Sequence, residues 1–178
     1  GEDFSPVISI VSSPSSTLTC LVPEITLEGF ANSGKAPYTY SLDGINFQES
    51  NKFTVTNLGV YHMWVKDANG CLSDNNITIN EDKTPPYFVV TSPLKVCYSS
   101  FADITQANEL GYSFKYYMSD KKTLVQTPNL VKTSGTYYIT KTNEQNKCVS
   151  DFVPIEVVVL DKPTFDVQVL HPLCEGDL

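Results

Sequence analysis

Gly59-Val-Tyr-His-Met-Trp-Val-Lys-Asp-Ala-Asn-Gly-Cys71 decides how the rest of the chain is read. Tyr61, Met63 and Val65 fall on one side of a two-residue period, and His62, Trp64 and Lys66 fall on the other. That is the pattern of a strand with one buried face. Asp67-Ala-Asn-Gly70 then supplies a turn, because Asn and Gly accept positive φ and Asp bonds nearby backbone. The phrase returns, one residue longer, as Gly135-Thr-Tyr-Tyr-Ile-Thr-Lys-Thr-Asn-Glu-Gln-Asn-Lys-Cys148. Cys20, Cys97 and Cys174 are spaced by 77 residues, Cys71 and Cys148 by the same 77, and the pair within each unit by 51. The chain is a tandem repeat. The period gives two units, residues 1–83 and 84–162, and the first strand of a third at 163–178.

Units this small build modest cores. A disulfide closing a loop of about 50 residues adds roughly 4 kcal/mol on the chain-entropy estimate, and small β domains with such bridges belong to oxidising compartments. The matched spacing predicts Cys20–Cys71 and Cys97–Cys148, with Cys174 left unpaired because its partner falls beyond the last residue. The net charge of −8 comes with twelve lysines and no arginine. That balance argues against nucleic acid and against attraction to an anionic membrane. No apolar run approaches the roughly 20 residues of a membrane span, and no signal peptide is visible, so direct membrane insertion is not expected. The start at Gly1-Glu-Asp and the stop after Cys174 lead us to expect an excised piece of a longer secreted polypeptide.

Short extended segments follow one another along the first unit: Phe4–Val11, Leu18–Val22, Ile25–Leu27, Tyr38–Leu42, Phe53–Val55, the quoted strand, and Ile77–Ile79. Asp43-Gly44 signals a hairpin, after which Ile45 and Phe47 resume the strand. Glu81-Asp-Lys-Thr-Pro-Pro86 is a junction stiffened by proline. The second unit offers Tyr87–Thr91, Tyr112–Met118, Thr136–Lys141 and Ile155–Leu160, with one candidate helical turn at Ala102–Leu110. Asp161-Lys-Pro163 mirrors the first junction, and Phe165–Val169 opens the third unit. About seven strands per unit, punctuated by Gly, Pro, Asn and Asp, specify an all-β fold of tandem antiparallel Ig-like sandwiches, each with one intradomain disulfide. Trp64 is out of phase with the core face, so the antibody-type Cys–Trp–Cys pattern is absent.

Pro37-Tyr-Thr-Tyr-Ser-Leu, Phe53-x-Val-x-Asn-Leu and Gly59-x-Tyr-x-Met-x-Val-x-Asp-x-Asn-Gly-Cys71 occur in that order. Together they resemble the SprB-type repeat of giant surface adhesins exported by the type IX secretion system of gliding bacteria. The resemblance covers most of residues 20–80. The second unit is similar to the related Ig-like or PKD-like repeats, with Lys141 where Val65 stands and Asn143-Glu-Gln-Asn-Lys147 in place of the Asp-x-Asn-Gly turn. The likeness implies long filaments of tandem domains on the outer surface of a bacterium, engaged in attachment and gliding motility. It implies neighbouring repeats as partners, and substratum or polysaccharide as contacts.

Catalysis finds little support, since two histidines without a matching motif do not make a triad. No cofactor is expected. Metal ligation by cysteine lacks any CxxC pattern. Asp67, Asn69 and Asp74 cluster near one turn and are weak calcium candidates, because oxygen ligands from loops suit that ion and turns use the same residues for their own geometry. His62 and Trp64, on the outward face, form the sharpest candidate for a surface contact; the competing reading packs Trp64 beneath a neighbouring strand or domain. A filament module is the leading function. The alternative is an accessory carbohydrate-binding or spacer sandwich of a secreted hydrolase, which would carry several aromatics on one exposed face.

Overall fold

The computed structural model describes residues 4–165, and its described residues contain strands and turns with no helix. Two compact units emerge. Among the described residues, the first holds those up to 88 together with 108–113 and 141–151; the second holds 89–107, 114–140 and those from 152 onward.

In the first unit, β1 (Val7–Ser13), β3 (Ile25–Asn32) and β5 (Lys52–Val55) form one antiparallel sheet in the order β1-β3-β5. The second sheet has the order β2-β7-β6-β4, built from β2 (Thr17–Thr19), β4 (Thr39–Ser41), β6 (Gly59–Lys66) and β7 (Leu72–Asp82). β2 runs parallel to the end of β7, with Thr17 opposite Asn80 and Thr19 opposite Asp82. β6 pairs with β7 along its whole length, from Gly59 opposite Ile79 to Lys66 opposite Leu72. The period read in the sequence is the period of burial: Met63 and Val65 are fully buried, whereas His62 is exposed. Ile8, Leu18, Ile25, Leu27, Tyr40, Val55, Met63, Val65 and Ile79 join the two sheets into one core. This is a sandwich, and its strand order, with a split first strand shared between the sheets, is that of the immunoglobulin fold.

Two details sharpen that assignment. The Tyr61 hydroxyl donates to the Asn57 carbonyl at 2.8 Å, four residues upstream at the entrance to β6. Such a tyrosine corner is a mark of the fold, and in antibody domains a cysteine follows two residues later. Here that later position is Met63. Facing it on β3 is Gly29, where an added Cβ would come within 2.5 Å of the Met63 sulfur and 3.1 Å of Ile8 Cδ1. A glycine opposite a long, adaptable thioether therefore fills the place of the inter-sheet bridge.

The second repeat of the sequence carries half of this plan. β8 (Leu94–Val96), β9 (Tyr112–Tyr117), β10 (Gly135–Asn143) and β11 (Val153–Val159) make a sheet of order β8-β11-β10-β9. β8 runs parallel to β11, as β2 does to β7. Tyr137 supplies the equivalent corner, its hydroxyl donating to Thr133 O at 2.9 Å. The opposite face holds a bridge between Ala102 and Val131 and a bond from Ile104 N to Pro128 O of 2.9 Å.

Three local expectations are corrected. Ala102–Leu110 forms no helical turn, because Ala102 and Ile104, both fully buried, follow a two-residue period and face the sheet. Tyr87–Thr91 joins no sheet; it lies between Pro86 and Pro93, which lack backbone donors, and leaves Tyr87 and Val89 exposed. Ile45 and Phe47 do not resume a strand. Asp43 holds residues 43–46 in a loop by accepting from Ile45 N at 2.8 Å and Asn46 N at 2.7 Å. The expected strand Phe165–Val169 lies outside the described residues from position 166 onward.

Candidate functional site: the cysteine hairpins

Each repeat carries a hairpin that ends in cysteine, and the two hairpins share one design. In the first, Asp67 accepts from Asn69 N at 3.0 Å and Cys71 N at 2.8 Å through Oδ1, and from Lys35 N at 3.0 Å through Oδ2. These backbone donors, that of Lys35 first, hold its carboxyl below the usual carboxylate range against the opposing effect of desolvation. Asp67 N donates to Cys71 O at 3.1 Å, and Gly70 adopts a φ of 85°. In the second hairpin Asn143 takes over: its Oδ1 accepts from Gln145 N at 2.9 Å, its N donates to Cys148 O at 2.9 Å, and Lys147 adopts a φ of 57°. A one-residue insertion is absorbed and Cys148 arrives where Cys71 does.

The bridge falls elsewhere than the spacing suggests. Cys20 is bonded to Cys148, with a Cα–Cα distance of 5.0 Å, and Cys71 and Cys97 are free thiols. The predicted pairs Cys20–Cys71 and Cys97–Cys148 are thereby corrected. Register supplies the reason for the first. Cys20 follows Thr19, which pairs with Asp82 at the far end of β7, whereas Cys71 immediately precedes Leu72 at its beginning. Eleven strand residues span roughly 36 Å, many times the reach of a disulfide. The second pair fails because Cys148 is already taken. Cys174 lies outside the described residues.

Cys148 is brought to Cys20 by its neighbours within the first unit. Asn146, only 2 % exposed, donates through Nδ2 to Asp82 Oδ1 at 3.0 Å and to Thr84 O at 3.3 Å, and its Oδ1 accepts from Cys148 N at 2.9 Å. Glu144 N donates to Gly111 O at 2.8 Å, while the Glu144 carboxylate takes the Ser113 hydroxyl and the Lys147 ammonium. Lys141, where the first repeat has Val65, is buried with its ammonium on Glu109 and 4.1 Å from the centre of the Tyr112 ring. The polar residues that made the second hairpin look divergent are those that seat it. Asn146 was not singled out in the sequence; the Asn-x-Cys pattern shared by Asn69 and Asn146 was its available signal.

The surface candidates stand apart from this cluster. His62 and Trp64 stack at 5.7 Å between ring centres on the outward face, and His62 Nδ1 lies 3.5 Å from Asp74 Oδ2. Trp64 is half-buried beneath the 43–46 loop, since a Cβ at Gly44 would touch its ring at 3.3 Å. Asp74 is thus beside His62, and Asp67 is occupied by backbone donors. Among the described residues no group of three or more His, Cys, Asp or Glu side chains is placed to hold a metal.

No protein-family model matches the chain. No curated protein matches it significantly. Among solved structures, Sidekick-1 immunoglobulin domains 1–5 align with 88 % of the chain at 12 % identity and a TM-score of 0.33. Sidekick-1 immunoglobulin domains 1–4 (crystal form 1) align with 80 % at 15 % identity and a TM-score of 0.31. The N-terminal part of the bacterial S-layer protein SbsC aligns with 86 % at 16 % identity and a TM-score of 0.23. The chain spans 39 to 44 % of the length of those structures. These likenesses are too loose to argue from; the sandwich assignment stands on strand order, core and tyrosine corners.

Proposed function

We propose that this chain is a non-catalytic repeat module of a large bacterial cell-surface adhesin, acting as a spacer and adhesive segment of a filament in attachment and gliding. The observation that carries the reading is the bond between Cys20 of the first 77-residue repeat and Cys148 of the second. Both cysteines lie in the first compact unit, so the bond fastens a hairpin that the second repeat supplies onto the sandwich of the first, as suits a chain of successive repeats. Disulfides persist in secreted and surface proteins, which supports an extracellular location. The three phrases resembling SprB-type repeats supply the gliding adhesin and type IX export; substratum or polysaccharide would be the contact of the array. The test is made on the producing bacterium, with beads carrying antibody against this chain. They should bind intact cells and be carried along the surface. Binding only after permeabilisation would overturn the surface location, and bound beads that stay put would overturn the gliding role.

A further inference from the structure

Cys71 and Cys97 are left as thiols by the bond that consumes the other two described cysteines. We propose that they are the two halves of the same bond, made with other repeats. Cys97 takes the hairpin cysteine of a following repeat, and Cys71 takes the strand-end cysteine of a preceding one. The array is then stitched at every junction, and each repeat is bonded to cysteines of both neighbouring repeats and not to its own.

Cys97 follows β8 as Cys20 follows β2. Val96 is opposite Val159 in a parallel pair, just as Thr19 is opposite Asp82. Cys71 closes a hairpin with the acceptor, backbone bond and positive-φ residue found at Cys148. Burial reports which halves are filled. Cys148 and Asn146 are shut away, while Cys71 is half-buried and Asn69 exposed. Beside Cys97 lies an open cavity of about 260 Å³ lined by residues including Tyr98, Phe101, Lys132 and Val159. Tyr98 and Phe101 remain exposed there. The cavity is an open, partly apolar surface depression at the end of the sheet that in the first repeat receives residues 143–148. The register counterpart of Asp82 is Val159, so the carboxylate that receives Asn146 is not repeated and the thiol is the shared element.

The chemistry balances simply. Two thiols lose two protons and two electrons, one sulfur–sulfur bond forms, and a disulfide oxidant such as an oxidised low-molecular-weight thiol is reduced to two thiols. The proposal rests on the repeat reading and not on adhesion or gliding, so failure of the bead experiment leaves it standing.

Two versions of the chain test it, both carrying Cys174→Ser. One adds Cys71→Ser and keeps Cys97; the other adds Cys97→Ser and keeps Cys71. Mixed in equal amounts with oxidised glutathione, they should give a several-fold excess of the Cys97–Cys71 heterodimer over homodimers. Pairing at the random share, or homodimers in excess, would overturn the proposal. A second measurement removes dependence on encounter between copies. The chain is prolonged after Cys174 by a repeat of residues 98–162, which places a hairpin cysteine 51 residues later. Non-reducing peptide mapping should find it on Cys97; finding it on Cys174, or leaving Cys97 free, would sink the idea.

Discussion

Asp43 and Asp120 each hold a tight loop by turning a carboxylate onto backbone and side-chain donors a few residues ahead. Asp120 accepts from Lys122 N and Thr123 N at 2.9 Å and from the Thr123 hydroxyl at 2.6 Å. Its pKa is pushed down to about 2, chiefly by the Thr123 hydroxyl and then by the backbone of Lys122 and Thr123. Asp43 is held lower still, with Asn46 the main cause. A carboxyl whose folded value lies below its unfolded value stabilises the fold above the unfolded value and loses that contribution as pH falls through the folded one. For Asp120 the window therefore runs from about 4, the ordinary carboxylate value, down to about 2. NMR titration of the side-chain carbons should place the Asp120 midpoint near the lower end. A midpoint in the ordinary range would mean that the loop opens in solution.

At the scale of the element, β6 was legible because one face is buried and a strand side chain alternates with a period of two. The loop after Tyr40 was not legible to the same degree: Asp43-Gly44 also suits a two-residue hairpin, and the carboxylate of Asp43 decides for the wider loop. The tyrosine corners were visible only as tyrosines. Their hydroxyls should matter: Tyr61→Phe and Tyr137→Phe should each lower the stability of their own unit by about 1 kcal/mol, the worth of one intramolecular hydrogen bond. Hydrogen exchange at strand amides would read each unit separately, and unchanged protection in either variant would show that the corner contributes nothing there. Gly29 makes the complementary point. Its role comes from the neighbouring Met63 sulfur and not from turn chemistry, so Gly29→Ala should cost about 1–3 kcal/mol through overpacking, read as a fall in the denaturant midpoint at unchanged slope.

For the molecule as a whole, the bridge is where sequence reasoning met its boundary. In a periodic chain, equal spacing supports pairing within a repeat and pairing between successive repeats equally well, because both offsets recur. Only the fold distinguishes them, by placing Cys20 and Cys71 at opposite ends of β7. The bond that forms encloses a stretch with a sequence separation of 128. On the chain-entropy model such a loop is worth about 5 kcal/mol. Cys20→Ser and Cys148→Ser should therefore destabilise the first unit to a similar extent, and the double variant little more than either. Thermal unfolding that showed additive losses would assign the effect to packing at each cysteine and not to the bond.

That long enclosure also imposes an order in time. As the chain leaves a ribosome or an export pore from its N-terminus, Cys71 emerges before Cys148, so the first thiol that Cys20 can meet is the wrong one. While β7 is unformed nothing holds the two apart; once it pairs with β2 and β6, they are fixed at its two ends. The first sandwich must consequently close before its thiols are oxidised. Folding then acts as the proofreader of the bridge, keeping Cys20 in reserve until the second repeat delivers its partner.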